Sequence, residues 1–191
     1  MQVLAVIKWK ETEEIVVWQM VERNMKLLIF GSVGSGKSTL ARQLSEKYNI
    51  PCFEGDSICH GFEGEERHKR SNEEQQEIIR RINRENENWI VEGVYRESQK
   101  SLWDMAEKIL FLDTPLSIRY FRIIRRFIRQ KLGREACNYK PTFKIFKYMF
   151  KWTKDFEANR PMYEEMLEER KEKVIWVKKV EAETLWEQIS K

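Results

Sequence analysis

The sequence contains no long apolar run. The longest stretches, such as residues 3–7, are far shorter than the roughly 20 apolar residues that a membrane-spanning helix needs. Met1 is not followed by a basic segment and an apolar core of the signal-peptide type, so we do not expect secretion. Cysteine is scarce: Cys52, Cys59 and Cys137 are an odd number without the spacing of metal ligands. These absences predict a cytoplasmic protein with reduced thiols, no transmembrane segment and no zinc site.

Glycine is also sparse, but three of the eight glycines lie close together in one segment. The residues from Gly31 to Ser38 have the pattern G-x-x-x-x-G-K-[ST], and the apolar residues 26–30 before them predict the strand that such a loop follows. The glycines let successive backbone N–H groups point at an anion at the start of a helix. The segment therefore predicts a phosphate-binding loop for ATP. Its predicted nucleotide-binding residues are Gly31, Ser32, Gly34, Ser35, Gly36, Lys37, Ser38 and Thr39.

The pattern of apolar residues predicts an α/β fold. Short apolar strands alternate with helical segments, which is typical of a parallel sheet with crossover helices. A Ser71–Glu74 capping box starts one predicted helix, and Thr114 is expected to be the N-cap of another, with Pro115 as its first residue. The strands are predicted at residues 26–30, 51–53, 89–91, 108–112 and 174–177, and helices at 37–48 and 71–87. Residues 1–24 are expected to form an N-terminal extension or hairpin, and residues 25–191 one P-loop domain.

Acidic residues follow three of the predicted strands. Open α/β sheets bind their ligands at the carboxyl ends of the strands, which is where Asp56, Glu92 and Asp113 fall. A phosphoryl-transfer enzyme needs an acid that holds Mg²⁺ and a carboxylate that orients the attacking group. We predict that Ser38 and Glu92 hold Mg²⁺ and that Asp56 is catalytic, with Arg96 placed to serve the acceptor. An acid after a strand is more often a turn or a cap, so this assignment depends on the neighbouring phosphate loop.

Positive charge is concentrated in one part of the chain. Residues 117–154 contain twelve Lys or Arg residues and one Glu, although the whole chain has a net charge of only +4. Arg122 and Arg126 share a face of a predicted helix and are predicted, with Lys37, to be catalytic, because guanidinium groups can neutralise a transferring phosphoryl group. In residues 143–156 aromatic residues alternate with lysines. This amphipathic segment fits a lid, an interfacial membrane helix or an RNA-contacting surface.

Taken together, these motifs resemble a known family over most of the chain. The chain is similar to the adenylate-kinase-related P-loop proteins described as DNA topology modulation (FlaR-type) proteins. The resemblance rests on the phosphate loop to Thr39, Ile50-Pro51 before Asp56, the segments 89–95 and 111–115, Arg122 and Arg126, and Arg160-Pro161. It implies a five-stranded parallel sheet of order 2-3-1-4-5, helices on both faces, and a mobile, arginine-bearing lid at about 130–161. Two departures are Glu92-Gly93 at the third strand and residues 57–62, where the acceptor pocket is expected to differ.

The motifs leave two functions open. The first is a small-molecule or nucleotide kinase that uses ATP and Mg²⁺ and binds its phosphoryl acceptor with Asp56, Glu92, Arg96 and Arg160. The second is an ATP-dependent nucleic-acid-binding or regulatory protein that uses the basic segment to contact phosphates. Guanine-binding and transporter ATPase motifs are absent from the sequence, and so is a recognised nucleic-acid-binding signature. We therefore predict a phosphotransferase of the adenylate-kinase-like type, with nucleic acid as a secondary partner.

Overall fold

A computed structural model describes residues 25–63, 66–135 and 141–178 of the chain. The predicted extension at residues 1–24 and Cys137 lie outside these residues. The strands are β1 (Lys26–Gly31), β2 (Cys52–Glu54), β3 (His60–Glu63), β4 (Glu66–Lys69), β5 (Trp89–Gly93), β6 (Lys108–Leu112) and β7 (Val174–Val177). The helices are α1 (Lys37–Tyr48), α2 (Gly55–Cys59), α3 (Asn72–Glu85), α4 (Ser101–Met105), α5 (Leu116–Lys131), α6 (Phe143–Ala158) and α7 (Arg160–Glu168).

The main sheet has five parallel strands in the order β2-β5-β1-β6-β7. Counted along the chain within this sheet, that order is 2-3-1-4-5, which confirms the predicted topology. The central strand β1 pairs Ile29 with Glu92 on one side and Gly31 with Leu112 on the other. Because these strands run in the same direction, their carboxyl ends meet at one edge of the sheet.

Helices cover both faces of this sheet. Successive side chains of a strand point to opposite faces, so Leu27 and Ile29 pack with Leu40 and Leu44 of α1, whereas Phe30 packs on the opposite face. Phe30 lies at the centre of an aromatic cluster on that face. Its ring centroid is 4.9 Å from that of Trp103, 5.4 Å from Phe111, 5.6 Å from Phe156 and 5.3 Å from Tyr163. This aromatic cluster therefore packs around Phe30, the residue that directly precedes the phosphate loop.

Two local predictions need correction. Pro115, not Thr114, is the N-cap of α5, because the Thr114 hydroxyl instead donates a hydrogen bond to the Ser35 carbonyl at 3.0 Å. The region after Asp56 forms the short helix α2 and the antiparallel hairpin β3-β4, which the sequence pattern did not indicate. The two strands of this hairpin contain no β-branched residue and no regular alternation of apolar and polar residues, so the usual strand signals are weak there.

The basic segment forms the helix pair α5 and α6. Aromatic residues on one face of α6 pack against α5, with ring centroids 4.4 Å apart for Phe127 and Phe146 and 5.0 Å apart for Tyr120 and Phe150. Phe156 enters the main core. The lysines of α6 are exposed: Lys144, Lys147, Lys151 and Lys154. The carboxyl end of the predicted lid is thus anchored in the domain. Across the described parts of the chain, every helix is too short or too polar to cross a bilayer.

We predict that removing the capping box of α3 destabilises the domain. The Ser71 hydroxyl accepts a hydrogen bond from the Glu74 N–H at 3.2 Å, and the Glu74 carboxylate accepts one from the Ser71 N–H at 2.7 Å. Ser71→Ala should lower the free energy of unfolding by about 1 kcal/mol, measured by urea denaturation. Ser71→Asp restores an acceptor and should remain close to wild type. Equal stability of the Ala and Asp variants would contradict the assigned cap.

Candidate active site

The phosphate loop connects β1 to α1 and has a backbone that requires glycine at two positions. Gly34 and Gly36 have φ angles of +76° and +104°, which side-chain-bearing residues rarely adopt. A Cβ atom at Gly34 would lie 2.9 Å from the carbonyl oxygen of Arg119 in α5. The loop is therefore curled between the sheet and α5, as the glycine pattern predicts.

Lys37 lies inside this loop. Its ammonium group donates a hydrogen bond to the Ser32 carbonyl at 3.0 Å and is almost fully buried. Burial lowers the pKa of Lys37, while the nearby Glu92 and Asp56 carboxylates oppose this shift. The buried hydroxyls of Ser32 and Ser35 have no hydrogen-bond partner among the described residues. The loop thus presents a buried cation and two polar groups that a bound anion could satisfy.

Ser38 and Glu92 meet at the base of the loop. The Ser38 hydroxyl donates a hydrogen bond of 2.8 Å to a carboxylate oxygen of Glu92, which is 7% exposed. A hydroxyl and a carboxylate side by side are oxygen ligands of the kind that Mg²⁺ uses together with substrate phosphates. Within residues 25–63, 66–135 and 141–178, no three His, Cys, Asp or Glu side chains form a metal cluster. A Mg²⁺ ion would therefore need the phosphates of a nucleotide as additional ligands.

Asp56 and Arg96 form an ion pair at the same edge of the sheet. Asp56 lies in α2 after β2, and Arg96 lies after β5, so the two neighbouring strands bring them together. The Cα atoms of Gly55 and Gly93 approach closely, since a Cβ at Gly93 would lie 3.6 Å from the Gly55 Cα. Both charged groups act on the pKa of Lys37, which places them within electrostatic reach of the phosphate loop. The predicted acceptor residues Asp56 and Arg96 are thus brought together.

The arginines of α5 differ in their positions. Arg119 is 3% exposed and pairs with Glu157 of α6 at 2.5 Å, so it joins the two helices. Arg122 donates hydrogen bonds to the carbonyls of Gly34 at 3.3 Å and Ser35 at 2.7 Å, which places its guanidinium on the phosphate loop. Arg126 is half-exposed and pairs with Glu135 at 3.6 Å, although it still influences Lys37 electrostatically. Of the two predicted catalytic arginines, Arg122 alone contacts the loop in this structure.

Arg160 and Asp113 do not join the acceptor residues. The Arg160 guanidinium makes two hydrogen bonds to Asp113, of 2.8 and 2.9 Å, and a third of 2.7 Å to Glu164. Glu164 belongs to the same helix as Arg160, whereas Asp113 follows β6, so the ion pair with Asp113 holds α7 against the end of β6. This arrangement gives Arg160 a structural contact where the sequence led us to expect substrate binding.

A cavity of about 620 Å³ lies next to Arg96 and was not foreseen from the sequence. It is lined by Cys59, His60, Lys69, Asn72, Gln76, Arg96, Glu97 and Ser98. The buried amides of Gln75 and Gln99 support its walls: Gln99 donates to the Gly55 carbonyl at 2.9 Å, and the Ser98 hydroxyl donates to Gln75 at 2.9 Å. Gln75 shares the buried face of α3 with Ile79 and Ile82, so helical spacing could have indicated its burial. Gln99 lies in a short polar segment that gives no such signal.

The match of the chain to one family model agrees with the P-loop architecture. A family model described as an AAA domain matches residues 27–139. Searches of curated proteins find no match. Among solved structures, an uncharacterized protein from Eubacterium ventriosum is 18% identical, with a TM-score of 0.49, covering 86% of this chain and 95% of that one.

Two shikimate kinases are also similar in structure. The enzyme from Bacteroides thetaiotaomicron is 14% identical, with a TM-score of 0.44, covering 74% of this chain and 82% of its own. The enzyme from Acinetobacter baumannii, in complex with shikimate, is 13% identical, with a TM-score of 0.48, covering 87% and 92%. These identities and TM-scores are too low to say anything further about this chain. None of these proteins carries the DNA topology modulation name, so that part of the resemblance stays a prediction.

We predict that Gly34→Ala destabilises the protein more than the same change at Gly133. Both glycines have a positive φ, but a Cβ at Gly133 meets nothing within 4 Å, whereas one at Gly34 would collide with the backbone of α5. The free energy of unfolding should fall by about 2–3 kcal/mol for Gly34→Ala and about 1 kcal/mol for Gly133→Ala. Urea denaturation of both variants measures the difference, and equal losses would show that α5 does not restrain the loop.

Proposed function

Because the chain belongs to the AAA domain family of P-loop proteins, we propose that it is an ATP-dependent phosphotransferase that acts on a small molecule. The observation that supports this proposal is the position of the Asp56–Arg96 ion pair within electrostatic reach of Lys37. A phosphate loop alone fits any nucleotide-binding function. A paired carboxylate and guanidinium facing that loop provide a place for a second substrate.

The phosphate loop is proposed to bind the triphosphate of ATP. Bound Mg-ATP supplies the γ-phosphoryl group for transfer. Lys37 would leave the Ser32 carbonyl and donate to phosphate oxygens, and their negative charge would favour its protonated form against the effect of burial. The remaining loop residues would hold the phosphates through backbone N–H groups and hydroxyls: Gly31, Ser32, Gly34, Ser35, Gly36, Ser38 and Thr39.

Ser38 and Glu92 are proposed to hold Mg²⁺. Their oxygens already lie 2.8 Å apart, so both could bind one ion if the Ser38 hydroxyl, which keeps its proton, turned that proton away from the carboxylate. The register of β1 and β5 sets this contact, because Ile29, two residues before the loop, pairs with Glu92. Glutamate at this position is long enough to reach the loop from the neighbouring strand.

Asp56 is proposed to orient the acceptor and to accept the proton from its attacking hydroxyl. The ion pair with Arg96 keeps the Asp56 carboxylate in place at the end of β2. Arg96 in turn has one buried guanidinium nitrogen, Nη1, without a hydrogen-bond partner among the described residues. An acceptor between these side chains and the loop would satisfy that nitrogen and would place its hydroxyl near Asp56.

Arg122 and Arg126 are proposed to stabilise the transferring phosphoryl group. Arg122 already rests on the loop carbonyls, so a small rotation of its side chain would direct it at a bound phosphate. Arg126 would have to leave Glu135, with which it forms an exposed ion pair worth little energy. Closure of the predicted lid over the nucleotide would exclude water from the site.

A second function, ATP-dependent nucleic-acid binding, is favoured by one surface observation. The exposed lysines of α6 surround Tyr148 and Trp152, whose exposed rings stack on each other with centroids 5.9 Å apart. Basic surfaces with exposed aromatic rings can bind single-stranded nucleic acid through phosphate contacts and base stacking. This surface lies outside the phosphate site, so it is compatible with either function.

We predict that Lys37→Ala abolishes phosphoryl transfer, with a loss of at least ~10³-fold. The assay is ADP release from Mg-ATP with a panel of nucleosides, nucleotides and small hydroxylated metabolites. Lys47→Ala, which changes an exposed lysine at the end of α1, is the matched control and should retain activity. Turnover in the Lys37→Ala variant would exclude the proposed site. Turnover that responds to DNA or RNA, and to no small molecule, would favour the second function.

We predict that Arg122→Ala lowers kcat by ~10³-fold and changes ATP binding little, because a clamp arginine acts mainly in the transition state. Arg125→Ala, an exposed arginine of the same helix, is the control and should behave like wild type. Steady-state kinetics give kcat, and calorimetric titration gives the Kd for Mg-ATP. A loss confined to ATP affinity would assign Arg122 to shaping the loop and not to the chemistry.

A further inference from the structure

We propose that the phosphoryl acceptor carries an anionic group, a phosphate or a carboxylate, and that Lys69 of the β3-β4 hairpin and Arg96 bind this group in the cavity beside the ion pair. The proposal rests on the proposed phosphotransferase function and names the substrate class of the same site. It makes the hairpin, which follows Asp56 directly in the chain, the element that selects the acceptor.

The cavity has the size and the location of an acceptor site. Its volume of about 620 Å³ is within the range of pockets that bind a small metabolite. Arg96 belongs both to the cavity wall and to the ion pair with Asp56. A Cβ at Gly93, directly after Glu92, would lie 4.0 Å from Arg96 Nη1. Arg96 therefore lies between the cavity and the strand end that carries Glu92.

The hairpin is held firmly enough to position a ligand. Arg70, which directly follows β4, donates a hydrogen bond of 3.1 Å to the Ile58 carbonyl and further ones to the carbonyls of Ser57 and His60. Its own N–H donates to the Cys59 carbonyl at 2.9 Å. These contacts fasten the hairpin to the end of α2. Lys69, adjacent to Arg70 and paired with His60, is thereby placed on the cavity wall.

The charges on the cavity wall favour an anion. The lining residues include two cations, Lys69 and Arg96, and one carboxylate, Glu97, which already accepts a hydrogen bond from the Tyr95 hydroxyl. In the described part of the chain, the Lys69 ammonium takes part in no ion pair. Burial and the nearby Arg67 lower the pKa of His60, which favours the neutral form of this histidine.

The unsatisfied guanidinium nitrogen of Arg96 gives a second, independent reason. A buried N–H donor without a partner costs free energy, and a charged one costs more. Because this nitrogen is buried, a small movement of the Arg96 side chain is needed to expose it to an anionic oxygen, which would then accept a charge-assisted hydrogen bond. The neutral side chains that remain on the wall, such as Gln76 and Ser98, already bond to neighbours: Gln76 donates to the Ser98 carbonyl at 2.7 Å and accepts from Ser101. Recognition by the cavity therefore depends chiefly on its cations.

The first experiment measures anion binding without catalysis. The probe is inorganic phosphate, titrated calorimetrically into protein saturated with Mg²⁺ and a non-hydrolysable ATP analogue, so that the phosphate loop is filled. Lys69→Gln should weaken phosphate binding by ~10-fold or more, because one charge-assisted hydrogen bond is lost. Lys69→Arg should restore binding. Lys171→Gln, an exposed lysine paired with Glu168, is the control and should bind like wild type. Equal affinity of wild type and Lys69→Gln, or no binding to wild type, would overturn the proposal.

The second experiment measures acceptor choice. ADP release is compared for matched pairs that differ in one charged group: nucleosides and their monophosphates, sugars and sugar phosphates, and polyols and hydroxy acids. We expect turnover with the charged member of a pair, and a KM for that acceptor that rises ~10-fold in Lys69→Gln while kcat and the KM for ATP stay close to wild type. Turnover with nucleoside monophosphates or sugar phosphates would identify a phosphate as the anionic group, and turnover with hydroxy acids would identify a carboxylate. Equal turnover with neutral members would overturn the proposal.

The two proposals fail in different ways. Phosphate binding that depends on Lys69, without ATP turnover on any acceptor, would retain the anion site and reject the phosphotransferase function. Lys37-dependent turnover on neutral acceptors, with Lys69→Gln unchanged, would retain the function and reject the anion site.

Discussion

The parallel pairing of β1 with its two neighbours is the constraint on which the site depends. It sets Ile29 opposite Glu92 and Gly31 opposite Leu112, so the end of every strand near the loop is positioned by backbone hydrogen bonds. Ser38 can then reach Glu92, and the ion pair of Asp56 with Arg96 falls on the same edge. A shift of one residue in this register would reverse the side of the sheet to which Glu92 points, and the site would be lost.

The helix α5 supplies the second wall of the phosphate loop. Thr114 and Arg122 bond to the loop carbonyls, and the backbone of Arg119 lies so close to Gly34 that only glycine fits. Arg119 also fixes α5 to α6 through Glu157, and α6 ends with Phe156 in the aromatic cluster under Phe30. The phosphate loop is therefore connected through α5 and α6 to the aromatic core. Contacts in that core help to hold α5 against the loop.

Much of the fold could be predicted because its signals are local. The strands of the main sheet are short apolar runs, and α3 begins at its capping box, as expected from Ser71 and Glu74. The start of α5 was misplaced by one residue because Thr114 bonds across the chain to Ser35. The hairpin β3-β4 was not predicted because its residues have weak strand propensity. Like the start of α5, it depends on contacts between residues apart in the sequence, here those of Arg70.

The sequence by itself determined the phosphate loop and the order of the elements around it, because glycine spacing, Lys37 and Ser38 act within a few residues of one another. The tertiary structure alone decided which partner each charged residue has. Arg122 meets the loop, whereas Arg160 meets Asp113, although the two side chains have the same chemistry. The reason is physical: an ion pair between distant residues depends on how helices and strands pack, and that geometry is a property of the whole core.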